Sequence, residues 1–296
     1  MNSKRVLILG ADGMFGHVLL HALVDISGIE VFGTVRDSKV IEKILGTDNY
    51  IRIRQGVDAN NFDSLTRALA SIQPEIVINC IGLIKKSPWA TDPLSAITIN
   101  SQLPHRISLI CRTAGVRFIH ISTDCVFDGK KGSYIEQDPS DAKEIYGRTK
   151  YLGEVEYPPH CVTLRTSIIG HELKSKRGLV EWFLSKEDSV RGFTKAIYSG
   201  FPTVEMAKII CDFVIPHENL NGIYHVSSEP ISKYDLLKMI AERYGKNIEI
   251  KPYEDFVCDR SLDSTLFRKI TGYRPPSWPK LVDKMYRNYS ESSFYS

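Results

Sequence analysis

The sequence has few of the features that mark membrane, secreted or nucleic-acid-binding proteins. None of its apolar runs approaches the roughly 20 residues that cross a bilayer. Its net charge of +3 comes without a long block of lysine and arginine. The segment MNSKRVLILGADG has an apolar run that is too short for a signal peptide. We therefore expect a cytoplasmic protein with no membrane and no nucleic-acid partner.

Patterns typical of metal sites and disulfide frameworks are also missing. The six cysteines are scattered without a CxxC pair, and the eight histidines never fall in an HExxH spacing. His17 and His21 lie four residues apart on a predicted helix without a carboxylate partner motif, which favours a packing role. We predict reduced thiols and no metal. The cysteines are Cys80, Cys111, Cys125, Cys161, Cys211 and Cys258.

Apolar strand-like runs instead alternate with amphipathic helical segments through the first half of the chain. The predicted strands are 4–10, 29–35, 50–53, 74–82, 116–123 and 161–167. The predicted helices are 14–24, 38–45, 61–72, 95–115 and 141–156. Continuous apolar strands that alternate with helices are typical of a parallel sheet covered on both faces. The sequence therefore predicts an α/β fold with a doubly wound parallel sheet.

Beyond residue 166 the alternation loosens, and helices and prolines become more frequent. We predict a smaller, mainly helical substrate lobe that covers about 167–191 and 228–296. Residues 1–166 and about 192–227 then form the dinucleotide-binding domain.

A glycine-rich turn, GADGMFG, follows the first predicted strand and opens the first helix. Glycines there let a pyrophosphate approach the backbone N–H groups at a helix N-terminus. The spacing is GxxGxxG rather than the usual GxGxxG, and a purely structural turn is the alternative. The predicted cofactor-binding residues of this turn are Gly10, Asp12, Gly13, Met14, Phe15 and Gly16.

Arg36 follows the second strand, where an NAD-binding protein more often has an acidic residue for the ribose hydroxyls. A guanidinium suits a 2′-phosphate, so we predict NADP(H) over NAD(H), although the adjacent Asp37 keeps NAD(H) open. Asp58, after the third strand, is a candidate for the adenine side, with a turn or cap role as an equal alternative.

Tyr146 and Lys150, in YGRTK, lie four residues apart and therefore on one face of a predicted helix. A neighbouring ammonium lowers the pKa of a phenol, so this pair predicts a proton donor and acceptor near neutral pH. Ser122 and Thr123 end the strand before this helix, where a hydroxyl could bond a substrate carbonyl.

Together these motifs resemble the extended short-chain dehydrogenase/reductase superfamily. The stretch STDCVFDGKKGSYIEQDPSDAKEIYGRTKYLGE is similar to its dTDP-4-dehydrorhamnose reductase-like branch, and weaker matches cover nearly the whole chain. The resemblance implies that Tyr146 protonates the C4 oxygen of a 4-keto sugar, that Thr123 bonds the same oxygen, and that Lys150 orients the nicotinamide ribose.

The resemblance also implies further binding residues. Asn79, Cys80, Gly82 and Asn100 would line the cofactor, and Arg165 and Arg260 would contact the substrate. For Asn79, Asn100 and Arg165, structural hydrogen bonding is an equal alternative.

Departures from the branch concern the substrate. Cys125 replaces the usual tyrosine, Ile168 replaces an aromatic residue, and Lys85 lies in an altered loop, GLIKKSPWA. All three are candidate substrate contacts, although a solvated loop is the simpler interpretation of Lys85. They leave the hydride chemistry intact and make a UDP-linked 2-acetamido-6-deoxy-4-keto hexose a plausible substrate.

The expected function is thus NADPH-dependent reduction of a nucleotide-linked 4-keto-6-deoxy sugar, for deoxysugar and surface-polysaccharide synthesis. One alternative is an epimerase or 4,6-dehydratase, but dehydratases of the superfamily usually have a TDE pattern, and here Asp124 and Cys125 follow Thr123. The other is a cofactor-binding regulatory subunit resembling that of methionine adenosyltransferase. A homodimer is left open.

Overall fold

The computed structural model of the chain describes residues 3–37, 52–84, 92–174, 177–292 and 294–295. Its helices are α1 (Gly16–Val24), α2 (Phe62–Ile72), α3 (Pro93–Ala96), α4 (Leu103–Thr113), α5 (Ile145–Leu152), α6 (Leu179–Leu184), α7 (Thr203–Ile209), α8 (Lys233–Arg243), α9 (Thr265–Thr271) and α10 (Trp278–Glu291). Its strands are β1 (Lys4–Leu9), β2 (Ile29–Thr34), β3 (Arg52–Arg54), β4 (Ile76–Asn79), β5 (Arg117–Ile121), β6 (Cys161–Arg165), β7 (Ile168–Ile169), β8 (Val190–Phe193), β9 (Ala196–Tyr198), β10 (Phe201–Pro202), β11 (Gly222–His225), β12 (Ile231–Ser232), β13 (Ile250–Tyr253) and β14 (Cys258–Asp259). The predicted helix 38–45 lies outside the described residues.

Seven strands form one parallel sheet in the order β11-β6-β5-β4-β1-β2-β3. Successive side chains of a strand point to opposite faces. In β1, Val6 and Ile8 therefore join one apolar core with α1 and α7, while Leu7 and Leu9 join a second core with α2 and α4. Helices cover both faces, so the predicted doubly wound sheet is confirmed.

The order of the strands reverses direction between β1 and β4. In open α/β sheets such a reversal leaves a crevice outside the carboxyl ends of the strands, where ligands bind. Gly10 directly follows β1, Asn79 ends β4, and Ser122 directly follows β5. All three residues therefore lie at this edge.

The helices that the sequence assigned to a smaller lobe, α6, α8, α9 and α10, are accompanied by short strands outside the large sheet. β8 pairs with β13, β9 lies between β12 and β14, and β7 pairs with β10. Phe183, Leu236 and Leu281 of this lobe belong to the same apolar core as the α1 face of the sheet. Because one core spans both parts, the division into 1–166 plus 192–227 and 167–191 plus 228–296 stays a prediction.

The predicted long helix 95–115 is interrupted by a π-helical turn, Ile97–Gln102, between α3 and α4. Leu103 donates its N–H to the carbonyl of Thr98, five residues back. Pro104 has no N–H to give to the carbonyl of Asn100, which removes the α-helical bond at this point. The sequence pattern showed the helix but not the wider turn.

The predicted helix 141–156 is also shorter than expected, because α5 covers only Ile145–Leu152. Ala142 donates its N–H to the carbonyl of Val126 at 3.2 Å, which ties the preceding residues to another segment. Within the described ranges, no helix is both long enough and apolar enough to span a bilayer.

Candidate active site at the carboxyl edge of the sheet

The glycine-rich turn between β1 and α1 has the shape that a dinucleotide pyrophosphate requires. Gly10 has a φ of +79°, and its carbonyl accepts the N–H of Gly13 at 3.1 Å. A Cβ at Gly16 would lie 2.1 Å from the carbonyl oxygen of Gly10, so a larger residue would not fit. The start of α1 therefore packs directly on the turn, and a turn of this shape fits the pyrophosphate of a dinucleotide.

The other predicted residues of the turn have separate roles. The carboxylate of Asp12 forms an ion pair with Lys174 at 2.5 Å. Phe15 packs into the apolar core, so its contribution to cofactor binding would come from its backbone. Met14 is half-buried.

Arg36 and Asp58 follow neighbouring strands at the same edge. Arg36 is exposed just after β2, where a 2′-phosphate could reach it. The carboxylate of Asp58 accepts the backbone N–H of Asn60 at 3.0 Å. Asp58 therefore takes the turn role that the sequence left open, and its contact with adenine stays a prediction.

Two buried asparagines hold the loop that follows β4. Asn79 accepts the N–H of Ile81 at 3.1 Å, and its amide nitrogen lies 3.1 Å from Nδ1 of His120. Asn100 accepts the N–H of Leu83 at 2.8 Å and donates to its carbonyl at 3.1 Å. These bonds support the structural alternative for both residues, and their contact with the cofactor stays a prediction.

Cys80 and Gly82 belong to that loop and lie next to Lys150. A Cβ at Gly82 would be 3.9 Å from Nζ of Lys150, so this glycine leaves the space beside the lysine open. Burial raises the pKa of the Cys80 thiol to about 12, which keeps it neutral.

α5 approaches the segment after β5 closely, and a glycine makes this possible. A Cβ at Gly147 would lie 2.1 Å from the carbonyl oxygen of Cys125. The contact places Tyr146 beside Thr123, whose hydroxyl accepts the N–H of Cys125 at 3.1 Å and donates to Asp124 at 3.1 Å. This is the structural reason for the small residue beside the tyrosine in YGRTK.

The predicted lowering of the Tyr146 pKa by Lys150 is wrong. Burial raises the pKa of the phenol well above its usual value, and only the Thr123 hydrogen bond and the Arg260 guanidinium act in the opposite direction. The ammonium of Lys150 donates instead to the carbonyl of Ile121 at 2.8 Å. Burial lowers the pKa of Lys150 to about 8, although Glu154 and Cys80 oppose this shift.

Asp124 is a site residue whose role the sequence did not reveal. It is 7% exposed, and burial raises the pKa of its carboxyl, while the nearby Arg260 lowers it. The signal available in the sequence was its place directly after Thr123. The carboxyl of Asp124 raises the pKa of Tyr146, while the half-buried guanidinium of Arg260 lowers it.

Cys125 and Arg260, each a predicted substrate contact, lie beside each other. Nη1 of Arg260 lies 3.5 Å from Sγ of Cys125, and Nε donates to the carbonyl of Phe127 at 2.8 Å. Burial raises the pKa of the Cys125 thiol to about 12, so it presents a neutral side chain to this space. Ile168, half-buried in β7, pairs with Phe201, and Lys85 lies outside the described residues.

Arg165 and Ser122 belong to a buried ionic network below the crevice. Arg165 binds Glu154 through two hydrogen bonds of 2.9 and 2.8 Å, and both side chains are 3% exposed. Ser122 donates to the same carboxylate at 2.7 Å. These bonds support structural hydrogen bonding for Arg165, which was the alternative to substrate contact. Arg165 is therefore not proposed as a substrate contact.

Residues 4–290 match the family model described as RmlD substrate binding domain. The dTDP-4-dehydrorhamnose reductase of Aggregatibacter actinomycetemcomitans is 24% identical over 97% of this chain and 99% of its own length. The methionine adenosyltransferase 2 subunit beta of Danio rerio is 25% identical, over 76% of this chain and 79% of its own.

Solved structures share the fold. That of the dTDP-4-dehydrorhamnose reductase from Bacillus anthracis str. Ames in complex with NADP has a TM-score of 0.78 and 21% identity, over 97% of this chain and 98% of that one. The Bordetella bronchiseptica enzyme WbmG in complex with NAD and UDP has a TM-score of 0.78 and 17% identity, over 98% and 96%. The match across almost the full sequence confirms the predicted resemblance, and the chain belongs to the RmlD substrate binding domain family.

Proposed function

We propose that the protein is an NADPH-dependent reductase of a nucleotide-linked 4-keto-6-deoxy sugar. The observation that carries this proposal is that α5 places Tyr146 beside Thr123 and binds Lys150 to the carbonyl of Ile121, all at the carboxyl end of β5. The NADP and NAD complexes of the two similar structures support a nicotinamide cofactor, and the UDP of one supports a nucleotide-sugar substrate. The exposed Arg36 favours NADPH in this chain.

Reduction of a ketone adds a hydride to the carbonyl carbon and a proton to its oxygen, and the hydride is the part that a bound NADPH supplies. Tyr146 holds the proton, because burial raises its pKa and keeps the phenol protonated at neutral pH. The hydroxyl of Thr123 lies beside the phenol of Tyr146. In the proposed reaction this hydroxyl bonds the same ketone oxygen. Arg260 stabilises the phenolate that remains, since its charge lowers the pKa of Tyr146.

Lys150 acts on the cofactor side of this arrangement. Its ammonium lies near Gly82 in the loop after β4 and is directed to the carbonyl of Ile121. An ammonium there can donate to ribose hydroxyls and so orient the nicotinamide.

Two predicted substrate contacts, Cys125 and Ile168, favour a substrate that is bulkier than dTDP-4-dehydrorhamnose. Cys125 is shorter than the tyrosine of related proteins, and Ile168 is narrower than an aromatic residue, so both leave more space. Arg260, 3.5 Å from Cys125, can reach an amide carbonyl or a diphosphate oxygen. We therefore propose a UDP-linked 2-acetamido-6-deoxy-4-keto hexose as the preferred substrate.

The test follows the absorbance of the nicotinamide band with the purified chain and a panel of dTDP- and UDP-linked 4-keto-6-deoxy sugars. Stoichiometric oxidation of NADPH with one sugar supports a reductase and identifies the base. Conversion without net oxidation would point to an epimerase or dehydratase. Activity with the dTDP sugar alone would contradict the acetamido substrate but not the reaction.

A regulatory subunit is the second candidate, supported by the 25% identity with methionine adenosyltransferase 2 subunit beta. Tight NADPH binding without oxidation across the panel, together with a partner enzyme recovered in a pull-down, would favour this role.

A further inference from the structure

His17, on the first helix, lies between the glycine-rich turn and a tyrosine almost 280 residues away in the sequence. Its side chain is completely buried. Nδ1 is 2.8 Å from the carbonyl oxygen of Gly13, and Nε2 is 2.7 Å from the hydroxyl of Tyr295. Two short hydrogen bonds therefore connect Tyr295, His17 and the turn.

The direction of both bonds follows from the chemistry of the end groups. A carbonyl only accepts, so Nδ1 of His17 carries the proton. Burial lowers the pKa of His17 to about 4, so the ring is neutral at physiological pH and Nε2 must accept. Burial also raises the pKa of Tyr295, which keeps its hydroxyl protonated as the donor.

The bond to Gly13 constrains the part of the turn that a pyrophosphate would approach. The peptide between Gly13 and Met14 is planar, and its N–H points opposite to its C=O. Because His17 holds the carbonyl on the helix side, the N–H of Met14 is directed to the amino end of α1. The backbone N–H of His17 also donates to this carbonyl, at 3.3 Å, so the ring adds a second, shorter bond that further restricts the orientation of the Met14 donor.

Tyr295 is itself fixed by aromatic packing against both parts of the molecule. Its neighbour Phe294 stacks on His21 of α1, with ring centroids 4.7 Å apart and planes at 19°. The ring of Tyr295 lies 5.4 Å from Tyr289 of α10 and 5.4 Å from His171. His171 is in turn bound to Glu181 of α6 at 2.5 Å and to the hydroxyl of Tyr244 at 2.8 Å.

We propose that Tyr295 is a positioning residue for the dinucleotide: it donates to His17, which holds the Gly13 carbonyl and so directs the turn's N–H groups to the pyrophosphate. The small lobe supports Tyr295 from the other side, so packing of the lobe and cofactor affinity are coupled. The inference rests on cofactor binding and not on the identity of the sugar.

The test compares Tyr295→Phe with Tyr289→Phe, which removes a hydroxyl from the same aromatic cluster but leaves both bonds of His17 in place. Without its donor, the buried Nε2 of His17 is left unsatisfied. We expect Tyr295→Phe to raise the Kd for NADPH by about three- to tenfold, measured by cofactor fluorescence. Tyr289→Phe should leave this Kd unchanged.

Two further readouts separate positioning from general stability. Hydrogen–deuterium exchange should become faster at residues 10–17 in Tyr295→Phe alone. In an assay with a sugar nucleotide that the protein reduces, Tyr295→Phe should raise the KM for NADPH and leave kcat at saturating NADPH unchanged. Equal changes of Kd in the two variants, or a lower melting temperature with an unchanged Kd, would overturn the proposal.

A double substitution tests the route through His17. In His17→Asn, the side-chain amide nitrogen takes the place of Nδ1, because both atoms are bonded to Cγ, and it can donate to the Gly13 carbonyl. Asparagine has no counterpart of Nε2, so it makes no bond with Tyr295 that could be lost. Adding Tyr295→Phe to His17→Asn should therefore change the Kd no further. A second loss in this background would mean that Tyr295 acts by another route.

Discussion

Substitution of Gly147 by alanine tests whether the close approach of α5 to the segment after β5 builds the active site. The new Cβ would lie 2.1 Å from the carbonyl oxygen of Cys125 and 2.8 Å from Cβ of Ala142. An ordinary contact needs at least 3.4 Å, so the two backbones would have to separate by about 1.3 Å. Tyr146, the preceding residue, would move with the helix.

Two free-energy terms oppose each other in this variant. Alanine is favoured over glycine within a helix by about 1 kcal/mol. Overpacking of a tight contact costs about 1–3 kcal/mol. We therefore expect a small net loss of stability. The loss of rate should be larger, because a displacement of about 1 Å in a reacting group can lower kcat by roughly 100-fold.

The assay measures kcat with the sugar that the wild-type protein reduces, the Kd for NADPH, and the melting temperature. Arg148→Ala, on the exposed side of the same helix, is the matched control and should be close to wild type. If Gly147→Ala kept full kcat and became more stable, helix propensity alone would describe this position. The argument that Gly147 sets the distance between Tyr146 and Thr123 would then be refuted.

Three other outcomes follow from the site. Tyr146→Phe should lower kcat by about 100-fold or more while the Kd for NADPH hardly changes, and equal losses of both would contradict a proton-donor role. Arg36→Ala should weaken NADPH more than NADH, so an unchanged ratio of the two Kd values would exclude a phosphate contact. Lys150, whose pKa is lowered to about 8, is charged below that pH and loses its charge above it. The rate should therefore fall as the pH rises through about 8, and a pH–rate profile that stays flat there would show that the ammonium is not needed.

The fold and the family were predictable because both depend on local patterns. The continuous apolar run of β1 required burial on both faces, and the two cores around Val6 and Leu7 provide it. The spacing of Tyr146 and Lys150 placed both on one helical face without any knowledge of tertiary contacts.

What the sequence missed depends on burial and on distant partners. It gave the wrong direction for the Tyr146 pKa, because the desolvation of the phenol exceeds the effect of nearby cations. It left the role of Arg165 open, because nothing in the sequence shows that its partner Glu154 is only 3% exposed. It assigned His17 to packing, since Tyr295 is too far along the chain to be associated with it.

The π-helical turn at Ile97–Gln102 has a consequence for how this part of the gene can change. The bonds of this turn reach five residues back instead of four, so the turn contains one residue more than an α-helix would need to join α3 to α4. Deletion of one residue would therefore close the turn to α-helical bonds and leave the apolar side of α4 on its core. Insertion of one residue would instead rotate α4 by about 100° and turn that side away. Insertions in this turn are thus more harmful than deletions, or than substitutions at exposed positions such as Ile97. Natural variation should include shorter, fully α-helical versions of the turn but not longer ones.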